Sequence, residues 1–196
     1  MAILISSRYH IPMPSNDNKQ IRELIDRIAR VTASGDWSEA LNPTQRTALN
    51  YLAKANRFSR SPSQVADFMA ATRGTVSQTL KALARKELVR EVRSTQDKRS
   101  ISYDITRQGL KRLQEESLIE EASALLPEQQ RSHLLSGLES LLQTTLTKRG
   151  FRPFGICKTC AHHQMQGNGA WCNLLGVTLA PEETTQICHE HQQRAG

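Results

Sequence analysis

The stretch "TRGTVSQTLKALARKELVREVRSTQDKRSISYDITRQGLKRL", residues 72–113, decides the fold, because its apolar period changes twice. From Thr72, a natural N-cap, Val76, Leu80 and Leu83 recur at helical spacing and predict a helix with one buried side. Beyond Val89 the spacing alternates. Val89, Glu91 and Arg93 stand on one side of a polar turn and Ser100, Ser102 and Asp104 on the other, which predicts a β-hairpin with a charged tip. Thr106 then caps another helix, read as continuous over 106–126.

Working outward, residues 15–34 place Ile21, Leu24, Ile25 and Ile28 at helical spacing behind a run of Ser, Asn and Asp. Asn42 and Pro43 supply an N-cap and first-turn residue for a second helix. A short third helix opens at Ser61 or Ser63. After Pro127 an amphipathic helix carries Leu134, Leu135, Leu138, Leu141, Leu142 and Leu146, and Gly150 and Pro153 end it. The expected fold is therefore mainly α with a small β-wing: a winged helix-turn-helix, a helical dimerisation base and a small loop-rich, metal-binding C-terminal module. The expected divisions are an N-terminal arm over 1–17, the winged helix with its dimerisation helices over 18–148, and the Cys-rich module over 151–196. Three leucine-rich or isoleucine-rich helices exceed what a core of about a hundred residues needs, so they point to a homodimer.

The 196 residues carry a net charge of +7. Eleven Lys/Arg against four Asp/Glu lie between Arg73 and Arg112, so this stretch alone holds a surplus equal to that of the whole chain. A surplus focused in this way selects a polyanion as partner, with double-stranded DNA foremost. Neither a signal peptide nor an apolar run long enough for a membrane is visible, and a cytoplasmic location is expected. No Ser-His-Asp set, phosphate loop or carboxylate pair presents itself, so the chain is not read as an enzyme.

Within this frame "LKALARKELVRE" and "DKRSISYDITRQG" resemble the core of the MarR family of dimeric bacterial transcription regulators, over roughly residues 18–148. The resemblance implies a homodimer whose fourth helices enter successive major grooves of a pseudo-palindromic operator, with repression as the family default. Arg73, Thr75, Ser77, Gln78 and Lys81 would face DNA from that helix. Arg reads guanine and Gln reads adenine with paired hydrogen bonds, while Thr and Ser mostly hold phosphates. Gly74 removes bulk for close backbone approach. The wing carries Asp97, Lys98 and Arg99; the family places the arginine matching Arg99 in the minor groove and lets the acid matching Asp97 orient it.

The last forty residues hold all four cysteines, Cys157, Cys160, Cys172 and Cys188, with His162, His163, His189 and His191 beside them. Three chemistries compete: a thiol redox switch, structural zinc, and an iron–sulfur cluster. Four thiols are more than the simplest switch needs. Zinc commonly uses two Cys-x2-Cys knuckles, and here there is one. The segment "CKTCAHHQMQGNGAWCNLLGVTLAPEETTQICHEHQ" resembles the cluster-binding stretch of high-potential iron–sulfur proteins. That resemblance implies a 4Fe-4S cluster with Cys157, Cys160, Cys172 and Cys188 each on one iron, and zinc remains the alternative. The ending "CHEHQ" departs from the aromatic-rich ending of those proteins and leaves His189 or His191 as substitute ligands. Phe154, Ile156, Trp171, Leu174, Leu175, Val177, Leu179 and Ile187 are the expected apolar shell. A cluster at this place would act on operator binding by reordering the dimer base, in response to oxygen, nitric oxide, redox state or iron supply. A zinc module would instead be a structural staple in a regulator answering to a small ligand.

Overall fold

The computed structural model describes residues 16–35, 41–93, 100–114, 118–150, 154–167 and 169–194. Helix α1 spans Asp17–Gly35, α2 Pro43–Lys54, α3 Pro62–Met69 and α4 Arg73–Arg85. Strands β1 (Val89–Arg93) and β2 (Ile101–Ile105) follow, then α5 (Arg107–Leu113), α6 (Leu118–Ala124) and α7 (Glu128–Lys148). The expected order of helices and hairpin holds. The continuous helix over 106–126 does not: α5 closes at Leu113 with Gln114 as its C-cap and α6 begins at Leu118.

Local chemistry sets these boundaries. Asn42 accepts from the Gln45 backbone N–H at 2.8 Å while the Gln45 side chain takes the Asn42 N–H, a reciprocal cap with Pro43 behind it. Ser61 and Gln64 repeat the device at α3. That helix stops at Ala70, whose φ of 49° is left-handed. Thr72 caps α4 through the Thr75 N–H. Thr106 receives the Gly109 N–H and donates to the Glu87 and Leu88 carbonyls, which fastens α5 to the start of β1. A Cβ on Gly109 would collide with the Leu88 carbonyl oxygen, so glycine is required there.

The core lies under α2, α3, α4 and the hairpin. Leu49, Leu52, Val65, Val76, Leu80 and Leu83 are fully buried and meet Leu88, Val89 and Tyr103. The hairpin is antiparallel, with Val89 opposite Ile105 and Arg93 opposite Ile101. By contrast, α7 has no buried residue. Leu134, Leu135, Leu138, Leu141 and Leu142 are exposed along it, as are Ile21, Leu24, Ile25 and Ile28 on α1.

Residues 154–194 form a separate small-stranded module. Strand β3 (Gly155–Ile156) pairs with β7 (Ile187–Cys188), and β4 (His163–Gln166), β5 (Gly169–Cys172) and β6 (Val177–Leu179) make a three-stranded antiparallel sheet. The module follows α7 in sequence, but its described contacts lie on the winged helix. Ile187 bridges Ala55 in parallel, and the Asn56 N–H donates to the Ile187 carbonyl at 2.9 Å. Arg57 pairs with the buried Glu183 at 2.7 Å and also reaches the Thr178 carbonyl. His189 meets Asp67 of α3 at 3.1 Å. Phe154 stands edge-on to Tyr51 and Phe68. These contacts lead to the turn between α2 and α3.

Candidate nucleic-acid interface and four-cysteine site

Helix α4 has two chemically opposite faces. Val76, Thr79, Leu80 and Leu83 are buried. Gly74, Gln78, Lys81 and Arg85, spaced i, i+4, i+7 and i+11, are exposed on the opposite side, with Arg73 and Thr75 also exposed at its N-terminal end. Ser77 is only half-buried and stands at the edge of this face. The Thr75 hydroxyl is engaged with that of Thr72 at 2.8 Å. An added Cβ at Gly74 would meet nothing nearer than Thr72 Oγ1 at 3.9 Å, so the protein's own packing does not demand glycine. Arg85 escaped the sequence reading, which took only the first half of the helix; the spacing from Gly74, Gln78 and Lys81 was the available signal. Asp97, Lys98 and Arg99 lie outside the described residues. Two hairpin cations serve the sheet itself, Arg90 pairing with Asp104 at 3.3 Å and Arg93 with Glu91 at 2.9 Å.

The four cysteines converge from separate elements. Cys157 opens a 3-10 turn, Cys157–Thr159, directly after β3, and the Cys160 N–H closes it on the Cys157 carbonyl at 3.0 Å. Cys172 ends β5 opposite His163 and Val177, and Cys188 lies in β7 opposite Gly155. Gly155 has no room for a side chain, because the His191 ring covers it. Cys157, Cys160 and Cys188 are buried and Cys172 half-buried, all as free thiols. Burial pushes the Cys157 thiol up to about 12, and the charges that Cys188, Cys172 and Cys160 would carry push the same way. Burial also raises Cys188, while hydrogen bonds from the Asn56 side chain, the Glu190 backbone and the Ser59 hydroxyl favour its thiolate. The Gln192 N–H points at Cys160 Sγ at 3.4 Å.

Buried thiols that raise one another's pKa and receive N–H and O–H donors form a donor set suited to a cation. Among the described residues, no group of three or more His, Cys, Asp or Glu is arranged to hold a metal ion. Zn–S bonds of about 2.3 Å would draw four sulfurs to about 3.8 Å from one another. A cubane takes one thiolate at each of four irons and accepts a wider set. Cys157, Cys160, Cys172 and Cys188 are the residues that would hold either group, and the Cys157 thiol lies within reach of the charges the other three would carry.

The histidines are half-buried rather than solvated. His189 is engaged at both ring nitrogens, with Asp67 and with Glu190 at 3.2 Å, and His191 Nε2 meets Thr159 Oγ1 at 2.9 Å. The expected apolar shell is partly misassigned. Leu179 and Val177 pack with the cysteines, whereas Phe154 and Ile187 pack against the winged-helix core and Leu174 and Leu175 are exposed. In their place the winged helix sends Phe58 into the cysteine cluster.

Comparison with known proteins agrees with this architecture. The model of the MarR family matches residues 41–100, the segment from just before α2 through β1, ending before β2. A MepR–DNA complex from Staphylococcus aureus is similar at a TM-score of 0.54 and 19% identity, covering 67% of this chain and 99% of that one. The transcriptional regulator BldR from Sulfolobus solfataricus gives a TM-score of 0.53 at 24% identity, with 67% and 99% covered. The search of curated proteins returns no match. The fold is a MarR-type winged helix-turn-helix, and no described helix is long and apolar enough to cross a membrane.

Proposed function

We propose that this chain is a homodimeric transcription regulator, a repressor, that binds a pseudo-palindromic operator through α4 and the wing. Its C-terminal cysteines hold an iron–sulfur cluster whose presence or state modulates that binding. The observation that carries the DNA reading is the exposed face of α4, where Gly74, Gln78, Lys81 and Arg85 line up opposite a fully buried apolar side. Within it Gln78 reads base edges, Lys81 and Arg85 engage phosphates or guanine, and Gly74 admits the backbone. The similarity to the transcriptional regulator BldR and to a DNA-bound MepR supports this assignment. Dimerisation is supported by the apolar residues left exposed on α1 and α7, which a second copy would cover.

The cluster reading is supported by the four converging thiols and by the hydrogen-bond donors aimed at Cys188 and Cys160. The cluster would add charge and covalent cross-links to a module too small to be stable by its own core. Anaerobic purification with iron, acid-labile sulfide and zinc counted per chain tests it, followed by selection of binding sites from random duplexes. Iron matched by sulfide and an enriched inverted repeat are the expected results. About one zinc per chain without sulfide would replace the cluster by a structural ion, and no enriched sequence would overturn the regulator.

A further inference from the structure

Arg60 closes the turn between α2 and α3, and its guanidinium is engaged on two sides at once. Nε and Nη2 donate to the carbonyl of Ala55, the C-cap of α2, at 3.0 and 2.8 Å. Nη1 donates to Asp104 Oδ1 of β2 at 2.9 Å. The pair is largely withdrawn from water, with 18% of the Arg60 side chain and 34% of the Asp104 side chain exposed. A guanidinium is a rigid planar fork, so holding two of its donors on the end of α2 fixes the direction of the third.

The main chain of the same residue makes a second tie, because the Tyr103 N–H donates to the Arg60 carbonyl at 3.0 Å. Two consecutive residues of β2 are thus bound to one residue of the turn. Across the hairpin Asp104 stands opposite Arg90, which takes its other carboxylate oxygen at 3.3 Å. From the opposite flank Thr106 fastens the start of β1 to α5 through the Glu87 and Leu88 carbonyls. The hairpin is therefore gripped at its base. With a rise of about 3.4 Å per residue, Ile101 stands about 10 Å beyond Asp104, and a tilt of about 10° at the base moves it by about 2 Å. A displacement of that size breaks a hydrogen bond.

We infer that Arg60 and Asp104 are positioning residues for DNA binding: they set the angle of the hairpin against α3 and α4, and with it the place where the wing meets the duplex. The inference rests on the wing reading above and adds the residues that aim it. Neither side chain touches DNA in this role. Arg60 spends its charge on a carboxylate, and that gives the prediction a distinctive sign. Removing Asp104 takes a negative charge from a DNA-binding domain, which long-range electrostatics alone converts into tighter binding. Loss of aim converts it into weaker binding.

The test titrates the full chain, by fluorescence anisotropy, with the inverted-repeat duplex enriched from the random pool. The variants are Asp104→Ala, Arg99→Ala and the two combined. Asp104→Ala leaves both Ala55 bonds in place, and hydrogen exchange should show α2–α4 as protected as in the wild type. Its affinity should nevertheless fall about tenfold, and the double variant should bind no more than about twofold less tightly than Arg99→Ala alone, because both changes remove the same wing contact. Arg60→Lys, which keeps the charge but not the fork, should bind as weakly as Asp104→Ala. Equal or tighter binding by Asp104→Ala, wild-type binding by Arg60→Lys, or losses that multiply in the double variant would each overturn the inference. So would lost protection of α2–α4 in Asp104→Ala, which would make the pair a support of the core. Wild-type binding by Arg99→Ala would instead remove the wing contact on which the inference rests, so the two failures are distinguishable.

Discussion

The winged helix and the cysteine module are held together by different means. The first buries a continuous set of Leu, Val, Ala and Tyr from three helices and a hairpin. In the second the buried apolar and thiol residues among those described are Cys157, Cys160, Ala170, Leu179 and Cys188, so three of five are thiols. The first has a continuous apolar core; the second has thiols where a core would be. The module leans on the winged helix through Ala55, Asn56, Arg57 and Phe58, and the dependence should run in one direction.

The strongest attack on this asymmetry is Cys188→Ser. Metal bound per chain should fall at least tenfold and protection of 154–194 should collapse, while the thermal transition of the winged helix keeps its midpoint within a few degrees. A shared loss of both regions would show one cooperative unit. Next in size is Leu80→Ala, which empties a fully buried position and should cost about 2–5 kcal/mol in denaturant unfolding. Here the module should undock as well, because its supports belong to the damaged region. Gly109→Ala drives a methyl into the Leu88 carbonyl and should cost about 1–3 kcal/mol, felt in α5 and the hairpin with metal content unchanged. The smallest effect is the most discriminating. Gly74→Ala has room in the protein and should stabilise α4 by up to about 1 kcal/mol, yet weaken operator binding in a fluorescence-anisotropy titration. Unchanged affinity would mean that the backbone at Gly74 does not approach DNA.

The winged helix was legible because its determinants are local. Thr72, Asn42 and Ser61 announce helix starts within three residues, and Val76, Leu80 and Leu83 mark a buried side by spacing alone. The division between α5 and α6 was not, since "LQEES" contains neither proline nor glycine to announce it. For the site, the cysteines were legible as a set but their surroundings were not. Asn56 and Ser59 look like ordinary turn residues, which they also are, and nothing nearby in sequence reveals that Ile187 and His189 dock on them. Phe154 and Ile187 are apolar residues near the cysteines in sequence, while docking turns them toward Tyr51 and the winged-helix core.

The contact between Ser59 and His189 spans 130 residues. At a synthesis rate of about 5–20 residues per second, the nascent winged helix waits on the order of 7–26 s for the segment that completes its own turn. Throughout that interval α2, α3 and α4 can fold with Asn56 and Ser59 still facing water. The winged helix is therefore completed from the last-made residues backward, with the Ser59 hydroxyl waiting for the His189 N–H.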